Sequence, residues 1–386
     1  MDLSSIINEL GEDRSLYFNT VAPPIAQASN FAFDKVADME KVFADEMSGY
    51  VYSRGRNPTI DILRKKLAAL DGAEDCLVFN SGAAAIFAGV LPFVSSGDHI
   101  VSVKEPYSWA RKLFDLILPR FGITTSYVDG GTIDSWEKAT QANTKFYYLE
   151  SPNSWNYAIQ PIEEVATFAK SRGIVTMIDN SYCTPLYQPV IGMGIDLAMQ
   201  TATKYIGGHS DTLGGVLTGS HALIKKIFDT EFLAIGSGLQ PFNAWLLLRG
   251  LRTLPLRLQR VEASTQTVLT FLRQHPRVKN LLFPFDPAFP QHELARKQMK
   301  AALGLITIEL EVPDRESVVR FCEALKHILM AVSWGGHESL VIPKCAGIPV
   351  VEFDVSNPEH RWVRLYVGLE EPDYIINDLK QAFDAI

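Results

Sequence analysis

Cysteine is scarce in this chain. Four occur among 386 residues, at Cys76, Cys183, Cys322 and Cys345, far apart and with no CxxC pair. Such spacing argues against a disulfide framework, and the thiols read as reduced and buried, the habit of a cytoplasmic protein. No metal-ligating constellation is expected. Long apolar runs are missing as well: no stretch approaches the ~18 residues that would span a bilayer. Neither end carries a basic block and the formal net charge is −8, so neither nucleic acid nor a membrane is expected as a partner. The opening MDLSSIINELGEDRS is acidic, lacks an apolar core and is not read as a secretory signal. GxGxxG is absent; GMGIDL, from Gly192, lacks the third glycine, which weakens any dinucleotide reading. There is no internal repeat and no low-complexity segment.

What is present is a chain that is 47% hydrophobic, long enough for one large domain and a smaller one. From about residue 60 helical and strand patterns alternate. Ile60, Leu63, Leu67 and Leu70 fall on one helical face. DCLVFN, HIVSVK, TTSYVD, KFYYLES and GIVTMIDN are strand candidates, and IEEVATFAKSRG fits the helix between the last two, with Gly173 as its C-cap. The alternation predicts an α/β fold with a mainly parallel sheet covered on both faces. Ligands of such sheets sit at the strands' carboxyl ends, and SGAAA, MIDNSY and TATK all lie there. Residues 221–280 read as mostly helical. GLITIELEV, RESVVRFCEAL, WVRLYVGLE and a closing helix from Asp373 then predict a second α/β domain. The expected division is an arm over 1–55, a large domain over 56–245 and a C-terminal domain over 246–386.

Lys204, in TATKYIGGHSD, raises the chemical question. By residue type alone it is a solvated cation. Its neighbours point elsewhere: Thr201 and Thr203 offer hydroxyls, and Gly207 and Gly208 permit tight turns. A lysine amine condenses with carbonyls, as in pyridoxal phosphate enzymes. Asp179, at a strand end, is either a helix cap or the acidic partner of a pyridine nitrogen. SGAAA, Ser81 to Ala85, opens a helix whose positive end would accept phosphate; close helix–sheet packing explains it equally well. Tyr107 in KEPYSW could stack on a flat cofactor or simply be core or rim. Tyr52 and Arg54 in YVYSRGRNPT suit a phosphate, or form a solvated loop. Arg364, inside an apolar strand, needs an anion: a substrate carboxylate or a structural ion pair.

In order along the chain, YSRGRNPT, NSGAAAI, an ESP segment, IDN twenty-five residues before the lysine of TATKY, GHSD and RLYVGLE resemble the transsulfuration, or Cys/Met metabolism, family of enzymes dependent on pyridoxal 5'-phosphate (PLP). The resemblance runs from about Phe18 to the C-terminus. It implies the aspartate-aminotransferase type fold (fold type I), with a seven-stranded sheet in the large domain and an N-terminal arm. It also implies a homotetramer built from dimers with shared active sites. Lys204 would be the covalent cofactor anchor and proton shuttle, Asp179 the partner of the pyridine nitrogen, and Tyr107 the stacking ring and a proton donor. Ser81, Gly82, Ala83, Thr201 and Thr203 would hold the phosphate, with Tyr52 and Arg54 reaching the cofactor of a neighbouring subunit. Arg364 would bind the substrate α-carboxylate beside Ser333.

Two departures bear on the reaction. ESPNSW puts Ser154 where the family carries an asparagine that meets substrate and cofactor, and VSWGGHESL has Trp334 where many γ-enzymes have leucine. Both resemble bacterial cystathionine β-lyases, so β-elimination, giving homocysteine, pyruvate and ammonia from L-cystathionine, is the leading expectation. Val332 stands where cystathionine γ-lyases and γ-synthases often carry a glutamate for the distal ammonium. That disfavours those two but not a methionine γ-lyase or a sulfhydrylase. YSRGRNPT is closer to the γ-enzyme form, which keeps γ-elimination and γ-replacement open. A non-catalytic binding protein on the same fold is the alternative of another class.

Overall fold

A computed structural model describes residues 1–386. The chain divides into two compact units. The first comprises Met1–Asn153, Ile159–Gly207 and Asp211–Arg252; the second comprises Ser154–Ala158, Gly208–Ser210 and Thr253–Ile386.

The first unit holds strands β1 (Asp75–Phe79), β2 (His99–Val103), β3 (Thr124–Val128), β4 (Thr144–Glu150), β5 (Val175–Asp179), β6 (Leu197–Thr201) and β7 (Gly215–Gly219). They form one sheet in the order β1-β7-β6-β5-β4-β2-β3. β7 runs antiparallel to β1 and β6, and every other neighbouring pair is parallel. The expected mainly parallel sheet is therefore present, and its one reversal matters. Thr201 pairs with Gly215, so the connection bearing Lys204 leaves and re-enters the sheet at the same end.

Alternation along the strands loads both faces. Phe146, Tyr148, Met177, Leu197 and Met199 enter one core, with Ile86 and Ala88 of the helix Gly82–Val90. Tyr147, Leu149, Ile178 and Ala198 enter the other, with Trp136 and with Val165 of the helix Ile162–Ser171. That helix ends at Arg172, and Gly173, at φ 66°, is the left-handed residue just beyond the cap.

The amino-terminal helix Leu3–Asn8 is held by a buried lysine. Lys66 Nζ donates to the carbonyls of Ile6 (3.0 Å) and Ile7 (2.9 Å) and pairs with Glu12 at 3.0 Å. Arg252 shares Glu12 at 2.9 Å. After this anchor the chain exposes apolar side chains: Leu16, Phe18 and Val21 are each at least 80% accessible.

The second unit carries β8 (Val278–Leu282), β9 (Leu305–Leu310), β10 (Leu329–Met330), β11 (Leu340–Pro343) and β12 (Trp362–Tyr366), in the order β10-β11-β12-β9-β8. β10 and β11 are parallel and the remaining pairs antiparallel. The helices Arg315–Ala324 and Pro372–Phe383 accompany this sheet. No helix is long and apolar enough to cross a membrane.

Candidate active site

The carboxyl ends of β4, β5 and β6 bring chemistry together. Asp179 is the last residue of β5 and is buried. Its Oδ1 accepts the Ser181 N–H at 2.9 Å, and the Ser181 hydroxyl accepts the Thr201 N–H at 2.7 Å, which ties the β5 end to the β6 end. Glu150, last residue of β4, stands beside Asp179 in the parallel register. Glu150 Oε2 accepts the Tyr107 N–H at 2.5 Å, so the loop bearing Tyr107 is pinned to the same edge. Asn153 Nδ2 donates to the Glu105 carbonyl of that loop.

Lys204 follows β6 in a turn closed by its own N–H to the Thr201 carbonyl (3.1 Å) and by Gly207 N–H to the Ala202 carbonyl (2.7 Å). It is half-buried, and its charge reaches Asp179. Burial pushes the Asp179 carboxyl above the ordinary carboxylate range, against the Ser181 hydrogen bonds and the Lys204 charge, which lower it. Burial and then the charges of Asp179 and Glu150 raise Tyr107, so at neutral pH its phenol keeps its proton.

The helix Gly82–Val90 begins at the end of β1, with the Ser81 hydroxyl capping Ala84 N–H at 3.2 Å. The first amides of a helix have no partner within it, and Gly82, the first residue of this one, stands beside Thr201. A Cβ on Gly82 would lie 2.4 Å from Thr201 Oγ1, so only glycine permits this approach. The Thr203 hydroxyl accepts Gly214 N–H at 3.1 Å, which braces the loop.

These groups fit PLP. Helix-start amides and threonine hydroxyls suit a phosphate. A carboxylate in a buried, low-dielectric site is stabilised by a cationic ring nitrogen. A half-buried amine suits a covalent anchor. Of the residues singled out from sequence, Ser81, Gly82, Ala83, Tyr107, Asp179, Thr201, Thr203 and Lys204 share these strand ends. Tyr52 and Arg54 are exposed, with the guanidinium 5.8 Å from the Tyr52 ring and a β-bridge joining Tyr52 to Asn30; the Arg54 carbonyl would lie 3.1 Å from a Cβ on Gly238, which bridges to Phe79 at the end of β1. Ser181 and Glu150 were not singled out. Ser181 carries a local signal, an aspartate two residues earlier whose side chain turns back to the backbone; Glu150 carries none, because its partner lies 43 residues away.

In the second unit Arg364 is buried on β12. Its Nη1 donates to the Ser154 carbonyl at 3.0 Å, and its guanidinium carbon lies 4.9 Å from the Trp155 ring and 5.2 Å from the Trp334 ring. Ser154 thus contributes its backbone here. Ser333, next to Trp334, holds φ at 91°, a conformation costly for any residue but glycine.

The family model for Cys/Met metabolism PLP-dependent enzymes matches residues 4–384. The L-methionine γ-lyase of Treponema denticola is 35% identical over 383 residues, covering 96% of this chain and 94% of that one. The O-succinylhomoserine sulfhydrylase of Pseudomonas aeruginosa is 32% identical, covering 93% and 89%. The crystal structure of metB from Corynebacterium glutamicum superimposes with a TM-score of 0.91 at 30% identity, covering 100% of this chain and 98% of that one. With the strand-end carboxylate, the loop lysine and the helix-start cradle all in one sheet, the chain belongs to the Cys/Met metabolism family of PLP-dependent enzymes.

Proposed function

We propose that the protein acts at Cγ of a sulfur amino acid, removing the thiol from L-methionine by γ-elimination. The observation that carries this reading is the likeness to L-methionine γ-lyases at 35% identity along nearly the whole chain. It favours the γ-type alternative over the β-lyase expected from ESPNSW and Trp334. Val332 supports it too: it is exposed and apolar, and offers no anion to a distal ammonium, which methionine lacks.

When bound, PLP supplies an electron sink for the charge left at the substrate Cα. The chain's own residues do the rest. Asp179, kept from water by burial, holds its carboxylate toward the pyridine nitrogen. The Lys204 amine would take the Cα proton, pass it to the bound cofactor and, as a free amine again, take a proton from Cβ, which allows the Cγ–S bond to break. Tyr107, whose phenol is protonated at neutral pH, donates to the leaving sulfur. Ser81, Gly82, Ala83, Thr201 and Thr203 hold the phosphate. Arg364 receives the α-carboxylate, alongside Ser333, Trp334 and Ser154. The assembly is a homotetramer in which Tyr52 and Arg54 serve a neighbouring subunit's cofactor.

A second reading, γ-replacement on an O-acylated homoserine, has support in the sulfhydrylase relatives. The test is product analysis with the purified holoenzyme. L-methionine and water should give methanethiol, 2-oxobutyrate and ammonia. O-Succinylhomoserine with sulfide yielding homocysteine, and no turnover of methionine, would select replacement. Pyruvate with homocysteine from L-cystathionine, and nothing from the other two, would restore the β-lyase reading. No product from any of the three would leave a non-catalytic binding protein.

A further inference from the structure

Trp155 stands next to Ser154 in ESPNSW, and the second unit gives it a distinctive setting. Arg364 on β12 pairs directly with Thr307 on β9. This cross-strand pair grips two successive carbonyls: Arg364 Nη1 donates to that of Ser154 at 3.0 Å, and Thr307 Oγ1 donates to that of Trp155 at 2.8 Å. The Tyr157 hydroxyl lies 2.9 Å from Thr307 Oγ1 and completes the relay. The backbone of Trp155 is therefore fixed over the strand that carries Arg364, and its indole lies 4.9 Å from the guanidinium carbon. Lys344, paired with Glu359 at 2.7 Å, holds its Nζ 5.3 Å from the same ring.

A guanidinium whose carbon is held over an indole ring, with Nη1 donating to the Ser154 carbonyl, is restricted in how it turns, and a carboxylate is taken by two parallel hydrogen bonds only when the guanidinium plane is correctly set. At 6% exposure, Arg364 has little freedom to turn to another plane. We propose that Trp155 is a positioning residue: it sets the plane of the Arg364 guanidinium and so the orientation in which an amino acid's α-carboxylate binds. This rests on the reading of Arg364 as the carboxylate receptor.

The test compares two ligands that carry no leaving group, L-norleucine and n-pentylamine, the same chain without the carboxylate. Both are titrated calorimetrically into holoenzyme. Trp155→Leu should weaken norleucine about tenfold, a cation–π contact's worth, and change pentylamine less than about twofold. Trp155→Phe, which keeps an aromatic face, should restore most of the difference. On an Arg364→Ala background Trp155→Leu should cost nothing further, because the two act as one device. A carboxylate preference that survives Trp155→Leu, or losses that simply add on the Arg364→Ala background, would overturn the role of Trp155. Equal affinity of the unaltered protein for norleucine and pentylamine would instead overturn the Arg364 reading beneath it. Cleavage at Cβ or Cγ does not enter, since neither ligand is cleaved.

Discussion

Asp179 illustrates how one side chain's chemistry is set by opposed effects. Burial raises its pKa; the Ser181 hydroxyl, the Ser181 amide and the Lys204 charge lower it. Activity by the proposed route needs the anionic carboxylate. Replacing Ser181 by alanine removes a lowering influence and keeps the backbone hydrogen bond, so Asp179 takes up its proton at higher pH. The acid limb of kcat/KM against pH should therefore move to higher pH in Ser181→Ala, and an unmoved limb would show that Ser181 does not tune Asp179. At this scale, much of the site was legible in sequence. Asp179 closes an apolar strand and Lys204 follows another by three residues, and a polar residue at or just after a parallel strand's carboxyl end is conspicuous. Glu150 and Trp155 were not legible, because each acts through partners more than 40 residues away.

Among the elements, the helix Pro241–Gln274 does the least obvious work. At Gly250 its backbone comes so close to the lysine loop that a Cβ would lie 2.4 Å from the Ile206 carbonyl and 2.5 Å from that of Gly207. Helix propensity alone favours alanine over glycine by about 1 kcal/mol, but rigid carbonyls on both sides of the new methyl decide the sign. Gly250→Ala should displace the turn that follows Lys204, weaken PLP binding to the apoprotein about tenfold and lower the melting temperature. Retained PLP affinity would mean that the helix carries no strain to the loop. The same helix shows a limit of local reading. Pro255 lies inside it, and by propensity proline ends or kinks a helix; here the helical pattern continues through it. The direction of β7 was equally hidden, since an apolar run has the same period whichever way its neighbour runs.

For the whole molecule, the amino-terminal segment read from sequence as an arm leaves apolar surface exposed. Leu16, Phe18 and Val21 are exposed apolar side chains in one short stretch, costly to leave in water, and Tyr52 and Arg54 stand exposed farther along the same arm. If Arg54 serves a neighbour's cofactor, Lys204→Ala and Arg54→Ala proteins are each deficient, yet a hybrid has one site with both side chains intact. After subunit exchange, an equal mixture should recover about a quarter of the unaltered specific activity, as expected for sites shared across a two-fold interface. Recovery no greater than the sum of the parents would place lysine and arginine in the same subunit's site.

Composition and pattern by themselves determined the α/β class and the strand ends at and near which Asp179 and Lys204 lie, because these depend on local periodicity; the cofactor followed from the resemblance of short motifs, ordered along the whole chain, to a known family. Tertiary structure alone decided that β7 reverses beside β6 and returns the lysine loop to the same end of the sheet. It also decided that Glu150 seats the Tyr107 loop, and that Trp155 lies against Arg364. Each is a contact between segments distant in sequence, set by strand pairing and close packing, and no local pattern encodes which distant partner a side chain will meet.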